Sequence, residues 1–311
     1  MCLDSHRLAA CGSRVGGCGA LMPNEYIDPM HGTSRGSAPS RSSFNFFSHS
    51  FGANTFGESP SWMDRCLSAI PSQCEICRAW PSKVLCDSCV TRFAQPQVRC
   101  SACALALDDS QAQAKTYCKV CALSLSNKSL RGSPSWAMDA CVAAVDYAYP
   151  WADLITRFKF KQSTGLAASF AQLMLAAPWA QPALDQADLL LPMPLSTARL
   201  KQRGFNQALV LAKRLKTSQE PGLKLKADVL QRVLDTPPQS SLSRSERLHN
   251  VRHAFAVNPQ RLSDVHQKRV VLVDDVMTSG ASLNAAAHAL RIAGAEHVTG
   301  LVLARTPEPD F

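Results

Sequence analysis

Two kinds of apolar run alternate along the second half of the chain. Continuous runs in CVAAVDYAY, DLLLPMP and HVTGLVLAR are typical of buried strands, whereas DLITRFKFKQ, GLAASFAQLMLAA, FNQALVLAKRLK and SLNAAAHALRIAG suit amphipathic helices. Strands that alternate with helices indicate a parallel sheet covered on both faces. The sequence from Trp136 onward therefore predicts an α/β fold.

One predicted strand, in KRVVLVDDV, ends in two adjacent aspartates and runs into a loop of small residues. Asp274 and Asp275 follow four apolar residues, and residues 278–282 lead into the last helix, which Gly294 should end. Carboxylates at a strand end can accept hydrogen bonds from neighbouring hydroxyls or hold a divalent metal through water. The N–H groups of a helix start favour a phosphate. This order of groups describes ribose followed by its 5′-phosphate, although a plain strand end and helix cap would have the same residues.

The N-terminal 62 residues differ in composition from the rest of the chain. They are rich in Ser, Gly and Asn and lack a sustained period, so we expect disorder there. Translation starting near Met63 is a hypothesis that N-terminal sequencing of the native protein would test. The segment SLSNKSLRGSPS (124–135) resembles a linker. The predicted organisation is a disordered tail over 1–62, a cysteine-rich domain over 63–123 and an α/β domain over 136–311.

Eight of the 13 cysteines form four Cys-x-x-Cys pairs. Such a pair presents two thiolates to one point, and two pairs complete a tetrahedral zinc site, so we expect two structural zinc ribbons. Pairing in sequence order is simplest, but an interleaved arrangement, redox pairs or an iron–sulfur cluster are alternatives. Of the other five, Cys2, Cys11 and Cys18 lie in the N-terminal tail without the spacing of a ligand set, and Cys66 and Cys141 are expected as small buried residues. The predicted ligands are Cys74, Cys77, Cys86, Cys89, Cys100, Cys103, Cys118 and Cys121.

Charge and hydropathy limit the cellular setting. Residues 199–253 hold 12 Lys or Arg against 4 Asp or Glu, which suits phosphates or nucleic acid but also a solvated basic face. No run approaches the ~20 apolar residues of a membrane span. The metal-type cysteine spacing and the lack of a secretory signal predict a reducing cytoplasm. In residues 147–161, Tyr147, Tyr149 and Trp151 precede Lys159 and Lys161. The aromatics suit the core better than a nucleic-acid surface, and the two lysines suit either a contact with nucleic-acid phosphate or a solvated face.

The acidic motif and its neighbours together resemble a known family. VVLVDDVMTSGAS (270–282) is similar to the phosphoribosyl pyrophosphate (PRPP) motif of type I phosphoribosyltransferases, with Ser279 and Ser282 where Thr is more usual. Four features in their order along the chain resemble the ComF competence-protein family. They are the four cysteine pairs, LLLPMPLSTARLKQRGFNQALVLAK, TPPQSSLSRSERLHNVRHAF and this motif. The resemblance covers roughly residues 66–306. It implies a type I phosphoribosyltransferase-like domain behind a double zinc ribbon.

The resemblance also implies roles for single residues. Residues 192–197 would form a pyrophosphate loop, with three cations close behind it, Arg199, Lys201 and Arg203. The polar segment 236–250 would be a mobile lid that brings Arg244 and Arg247 to the pyrophosphate and excludes water. Catalytic roles would thus fall to Asp274, Asp275, Arg244 and Arg247. PRPP, with Mg²⁺, would contact Asp274, Asp275, Val276, Met277, Thr278, Ser279, Gly280, Ala281, Ser282, Pro194, Arg199 and Arg203.

Three functions stay open on the sequence. The first is a PRPP-binding factor that assists single-stranded DNA and the DNA-uptake machinery in natural transformation. The second is a phosphoribosyltransferase that releases pyrophosphate and transfers ribose 5-phosphate to an unidentified acceptor. The third is a regulator that senses PRPP without turnover. No residue stands out as a general base, and no base-binding hood is evident.

Overall fold

The computed structural model describes residues 72–108, 116–126, 136–160, 164–218, 222–233 and 254–308. The predicted disordered tail, Cys66, Lys161, most of the predicted linker, and the predicted lid with Arg244 and Arg247 lie outside the described residues. Within the described ranges, no helix is long and apolar enough to cross a membrane.

Helices and strands alternate along the described part of the chain as the apolar pattern predicts. The strands are β1 (Ala140–Asp146), β2 (Leu189–Pro192), β3 (Lys224–Leu225), β4 (Leu230–Arg232), β5 (Phe255–Val257), β6 (Arg269–Met277) and β7 (His297–Arg305). The helices are α1 (Asp87–Phe93), α2 (Lys119–Ser126), α3 (Trp151–Phe160), α4 (Leu166–Leu175), α5 (Ala180–Asp185), α6 (Thr197–Arg203), α7 (Gln207–Thr217), α8 (Leu262–Val265) and α9 (Ala281–Ile292).

Five strands form one parallel sheet in the order β1-β7-β6-β2-β3, and β4 and β5 form a separate antiparallel pair. Pro192 at the end of β2 lies opposite Val273 of β6, and Asp274 lies opposite Val302 of β7. Because every strand of the large sheet runs the same way, the carboxyl ends of β1, β2, β6 and β7 meet at one edge. This confirms the predicted parallel α/β fold.

Both faces of the sheet are buried, which explains the continuous apolar runs of its strands. Val271 and Val273 pack on the face that α3, α4 and α7 cover, whereas Val270 and Leu272 pack on the face that α9 and the β4-β5 pair cover. All four side chains are at most 1% exposed. Alternate residues of one strand thus reach two separate cores.

The two cysteine-rich segments pack on opposite faces of the sheet beside its β1 edge. Leu85 and Val90 of the first segment belong to the core with α3 and α4, and Cys100 and Ala104 of the second belong to the core with α9. At the edge itself, the N–H of Cys141 donates to the carbonyl of Ser101 at 2.8 Å. Each cysteine-rich segment thus contributes buried side chains to the core on its own face of the sheet.

Three local predictions differ from the structure. Helix α2 runs through residue 126, so the segment predicted as a linker begins inside a helix. The apolar pattern of FNQALVLAKRLK predicts a stripe of Phe205, Leu209, Ala212 and Leu215 for α7. Ala212 and Leu215 are buried, whereas Phe205 and Leu209 are half-buried and Ala208 and Leu211 are buried instead. Tyr149 is 70% exposed, although the aromatics of this stretch were expected in the core.

Candidate functional site

A cleft of about 310 Å³ opens at the carboxyl edge of the sheet. The end of β6 and the start of α9 line one side, and the segment after β2, α6 and the start of α7 line another. Single residues of β4 and β5 complete the lining. Open parallel α/β sheets bind their ligands at this edge. The cleft is therefore the candidate site.

The acidic pair, Asp274 and Asp275, lies near the carboxyl end of β6 and borders the cleft. The Asp275 side chain is buried, and the N–H of Asp275 donates to Asp274 Oδ1 at 2.8 Å. Burial and the adjacent charge of Asp275 raise the pKa of Asp274 to about 7. Near neutral pH the pair therefore retains part of a proton, which a bound cation would displace.

Lys159 is the cation closest to this pair. It lies near the end of α3, and its Nζ is 3.2 Å from Asp275 Oδ1. Trp151 and Phe158 of the same helix are buried in the core, so the helix holds the ammonium group in place. The sequence offered Lys159 as a contact for nucleic-acid phosphate, whereas the structure pairs it with Asp275.

The small-residue loop, residues 278–282, joins β6 to α9 along the cleft. Gly280 precedes α9 with φ 76°, in the left-handed region that favours glycine. A Cβ on Gly280 would lie 2.5 Å from Met277 Cε and 2.6 Å from Trp136 Cη2. The first N–H groups of a helix have no intrahelical partner and carry partial positive charge. The conformation of this loop therefore requires glycine at position 280, and its N–H groups could hold an anion.

Two arginines face the acidic pair from the other side. Arg199 and Arg203 lie on α6, which Ser196 caps by accepting from the N–H of Arg199 at 3.3 Å. The Arg203 guanidinium lies 5.3 Å from the centre of the Phe160 ring, and burial lowers its pKa while leaving it protonated. Pro194 borders the cleft just before this helix. Arg199 and Arg203, which were predicted to follow the pyrophosphate loop, thus lie on a short helix.

Gln207, which sequence reasoning left without a role, is buried beside Arg203. Its Oε1 accepts from Arg203 Nη1 at 3.0 Å, and the side chain is 1% exposed. Within the described ranges, Gln207 Nε2 and Arg203 Nε have no hydrogen-bond partner. Because both residues line the cleft and a buried unsatisfied donor is costly, this side of the cleft favours a ligand rich in acceptors.

The structure brings most of the predicted PRPP-contacting residues to this one cleft, and their roles stay predictions. Arg244 and Arg247 lie outside the described residues, and Lys201 is exposed on α6. The predicted residues that line the cleft are Asp274, Asp275, Val276, Met277, Thr278, Ser279, Gly280, Ala281, Ser282, Pro194, Arg199 and Arg203.

Some of the lining residues that were not predicted lie at or beside the ends of β1, β4 and β5. Tyr147 follows β1, Arg232 ends β4 and Phe255 begins β5. The Arg232 guanidinium lies 5.5 Å from the centre of the Phe255 ring. Strands β4 and β5 have three residues each, which is too short for a pattern of alternating apolar and polar residues. The sequence therefore gives no signal for this side of the cleft. The segment predicted as a lid connects these two strands.

The eight predicted ligands form two groups of four cysteines. The first holds Cys74, Cys77, Cys86 and Cys89, the second holds Cys100, Cys103, Cys118 and Cys121, and the Sγ atoms of each group lie within 4.8 Å of one another. Pairing in sequence order is confirmed, and the interleaved arrangement is wrong.

The spacing of the sulfur atoms fits a tetrahedral metal. Sγ atoms are 3.7 Å apart between Cys77 and Cys86 and between Cys103 and Cys118. A tetrahedron with Zn–S bonds of about 2.3 Å has edges of about 3.8 Å. Cys141 lies outside both groups and is buried, with its Sγ 3.5 Å from Met277 Sδ, as predicted for a small core residue.

Comparison with known proteins gives the class of this fold. A family model described as a phosphoribosyl transferase domain matches residues 200–310, which include the end of α6, all of α7, the acidic pair and the small-residue loop. The α/β part of the chain is therefore phosphoribosyltransferase-like. Among solved structures, one of the allosteric regulatory enzyme of purine biosynthesis matches with a TM-score of 0.28 and 20% identity over 45% of this chain and 25% of that one. The fold assignment does not depend on it.

Relatives extend the match into the cysteine-rich part. Competence protein F of Haemophilus influenzae is 33% identical over 180 residues, 57% of this chain and 76% of that protein. DNA utilization protein YhgH of Salmonella typhimurium is 30% identical over 246 residues, 77% of this chain and 100% of that protein. Competence protein ComFC of Bacillus subtilis is 28% identical over 156 residues, 50% and 59% of the two chains. The chain belongs to the ComF family of competence proteins.

Proposed function

We propose that this chain binds PRPP with Mg²⁺ in the cleft and assists the handling of incoming single-stranded DNA. One observation carries the first part: a carboxylate pair, a glycine-dependent helix start and two arginines line a single cleft at the edge of a parallel sheet. These groups suit the three chemically distinct parts of PRPP, which are a diol, a phosphate and a pyrophosphate.

The ligand would lie along the cleft in a defined direction. The acidic pair would accept hydrogen bonds from the ribose hydroxyls, and the small-residue loop would bind the 5′-phosphate through its N–H groups. Arg199 and Arg203 would contact the pyrophosphate, with Gln207 as a further donor. Arg244 and Arg247 of the proposed lid would reach the same group on closure.

Mg²⁺, when bound, would neutralise charge on the pyrophosphate and so ease its departure. It would be held through water or directly by Asp274 and Asp275, whose oxygens are the ligands that Mg²⁺ prefers. Arg203 supplies a fixed positive charge where the leaving group gains negative charge. Lys159, whose Nζ is 3.2 Å from Asp275 Oδ1, places a further positive charge beside the acidic pair.

The DNA part of the proposal rests on a surface beside the cleft. Tyr149 is 70% exposed and lies edge-on to Phe93, with ring centres 5.7 Å apart. The Arg92 guanidinium lies 5.1 Å from the centre of the Phe93 ring. An exposed aromatic next to a cation can stack a base and contact its phosphate without sequence preference. The names of the Haemophilus and Salmonella relatives, with competence and DNA utilization, agree with such a role.

Isothermal titration with PRPP and Mg²⁺ tests the ligand. We expect the wild type to bind and the Asp274→Asn/Asp275→Asn double variant to lose binding, because the diol and cation contacts disappear together. Asp153→Asn, an exposed carboxylate on α3, is the matched control and should bind as the wild type does. A wild type that never binds PRPP would refute the proposal.

Pyrophosphate release separates turnover from sensing. Steady Mg²⁺-dependent release in the presence of an acceptor would establish a phosphoribosyltransferase, whereas tight PRPP binding without release would establish a regulator. An acceptor screen can start from nucleobases and small amines, because nothing in the cleft restricts the acceptor further.

DNA binding needs its own measurement. We expect Tyr149→Ala to weaken binding of a labelled oligo-thymidine at least about fivefold, since one stacked base contributes ~1–3 kcal/mol. Trp179→Ala is the control, because this exposed aromatic precedes β2 and so lies at the opposite edge of the sheet. Equal affinity of wild type and Tyr149→Ala, or affinity that does not change with salt, would refute this surface.

The proposal also covers the metal of the cysteine groups, the domain organisation and the cellular location. We propose one structural zinc ion in each four-cysteine group, within a ribbon domain over 63–123 that precedes a phosphoribosyltransferase-like domain over 136–311. A cytoplasmic location fits thiolate ligands, which need a reducing compartment. Metal analysis should give about two zinc ions per chain.

A further inference from the structure

The second four-cysteine group lies directly behind the small-residue loop, and Arg305 connects them. Arg305 ends β7, where the parallel register places it opposite Met277. Its Nε donates to the carbonyl of Cys103 at 2.9 Å, and its Nη1 donates to the carbonyl of Thr278 at 2.5 Å. One guanidinium thus binds a metal-ligand residue on one side and the first residue of the loop on the other.

Trp136 makes a second connection between the same two parts. Its Nε1 donates to the carbonyl of Ala102 at 2.8 Å. Its ring lies against the loop, because a Cβ on Gly280 would be 2.6 Å from Trp136 Cη2. Two different side chains, one charged and one aromatic, therefore run from neighbouring carbonyls of one cysteine knuckle to the loop.

Both carbonyls belong to the turn between Cys100 and Cys103. The direction of those carbonyls depends on the path of that turn, and two thiolates bound to one metal ion hold such a turn in a single conformation. The four Sγ atoms of the group already have the spacing of a metal site. Metal at this group would therefore fix the acceptors on which Arg305 and Trp136 depend.

The first four-cysteine group has different contacts. Trp151 Nε1 of α3 donates to the carbonyl of Phe93 at 2.8 Å, and Arg157 Nη2 of α3 lies 2.6 Å from Glu75 Oε2. These contacts hold the first cysteine-rich segment to the helix on the other face of the sheet. The two groups thus differ in what they support.

We infer that Arg305 is a positioning residue that holds the small-residue loop in its anion-binding conformation, and that metal at the second four-cysteine group sets this conformation through Arg305 and Trp136. The effect on PRPP rests on the proposed function, whereas the effect on the loop itself does not. Because coupling between two sites is reciprocal, a ligand on the loop stabilises metal at the second group.

Hydrogen exchange of the full-length, metal-loaded protein tests the loop directly. Arg305→Met should speed exchange of the Asn284 N–H, which donates to the carbonyl of Gly280 at 2.8 Å and so reports on the loop, at least about tenfold, because a hydrogen bond to a charged group contributes ~1.5–3 kcal/mol. Arg305→Lys retains one cation and should recover part of the protection.

Arg99→Met is the matched control. Arg99 Nη1 donates to Asp146 Oδ1 of β1 at 2.7 Å and to the carbonyl of Ala104 in the second segment at 3.2 Å. It should leave loop exchange within about twofold of the wild type. Equal effects of Arg305→Met and Arg99→Met would overturn the inference.

Ligand binding gives a readout that general destabilisation would not produce. Arg305→Met should weaken binding of ribose 5-phosphate about tenfold and leave binding of pyrophosphate, which α6 would contact, unchanged. Equal losses for both ligands would overturn the positioning role. A wild type that binds neither ligand would refute the proposed function, and loop exchange would still decide the present inference.

Metal release from the wild type tests the reciprocal effect. With a chelator, ribose 5-phosphate should slow metal loss from the second group and not from the first. Alkylation of the freed thiols, followed by peptide mass spectrometry, assigns each release phase to Cys100 and Cys103 or to Cys74 and Cys77. Slowing at both groups or at neither, in a protein that binds ribose 5-phosphate, would contradict the coupling.

Discussion

Substitution of Asp274 by Asn should stabilise the fold while it abolishes ligand binding. In the folded protein, burial and Asp275 raise the pKa of Asp274 from 3.8 to about 7. Between these two values the unfolded chain binds fewer protons than the folded one, so the free energy of unfolding falls as pH rises. The asparagine side chain has no such proton, and the variant therefore avoids this loss.

The magnitude follows from the size of the pKa change. A rise from 3.8 to about 7 costs about 4 kcal/mol once the pair is fully ionised, and about 2 kcal/mol of this is already present at about pH 5.5. We therefore expect Asp274→Asn to exceed the wild type in unfolding free energy by about 2 kcal/mol near pH 5.5 and by about 4 kcal/mol near pH 8. The gain depends on the neighbouring carboxylate as well, because the charge of Asp275 is one of the two causes that raise the pKa of Asp274.

Urea unfolding of both proteins at the two pH values, without added Mg²⁺, is the assay. Comparison at equal pH removes the effect of proton competition at the cysteine ligands, which both proteins share. Asp153→Asn should change the unfolding free energy by less than about 0.5 kcal/mol at either pH. An Asp274→Asn variant that is no more stable than the wild type at pH 8, or a gain that does not grow with pH, would refute the reasoning.

Two other substitutions test the two ends of the cleft. Gly280→Ala should lower the unfolding free energy by about 2–4 kcal/mol in urea, because φ is 76° and a Cβ would meet the Trp136 ring. Gly165→Ala, with open space around it, should have no such cost. Gln207→Leu should weaken pyrophosphate binding about tenfold in titration calorimetry, because Arg203 loses its 3.0 Å partner. Exposed Gln202 on α6 provides the control substitution to Leu. A stable Gly280→Ala protein, or equal losses for the two glutamine variants, would contradict these expectations.

Sequence reasoning reached those parts of the site that local patterns specify. The apolar run before Asp274 predicts a buried strand, the periodic residues up to Gly294 predict α9, and together they place the small-residue loop at a strand end. The cysteine spacing likewise predicts both metal groups, since Cys-x-x-Cys is a local signal. Each of these features depends on residues that are close in the chain.

The parts that were missed depend on contacts between distant residues. Lys159 reaches Asp275 across more than 100 positions, and Gln207 is buried only because α7 packs on the sheet beside β2. Arg305 could have been found by assuming that β7 pairs with β6 in parallel, which places it opposite Met277. The face of α7 could not be predicted from its residues, because a helix with apolar side chains on several sides is oriented by what it packs against.

The cysteine-rich segments also cover one of the two edges of the open sheet. An exposed edge strand presents unpaired backbone groups and can recruit another chain. At one edge, β3 spans only two residues. At the other, β1 is seven residues long and mostly apolar, and Ser101 of the second segment bonds to it. The cysteine-rich segments thereby protect the longer edge, so unfolding of these segments would expose a strand that favours aggregation.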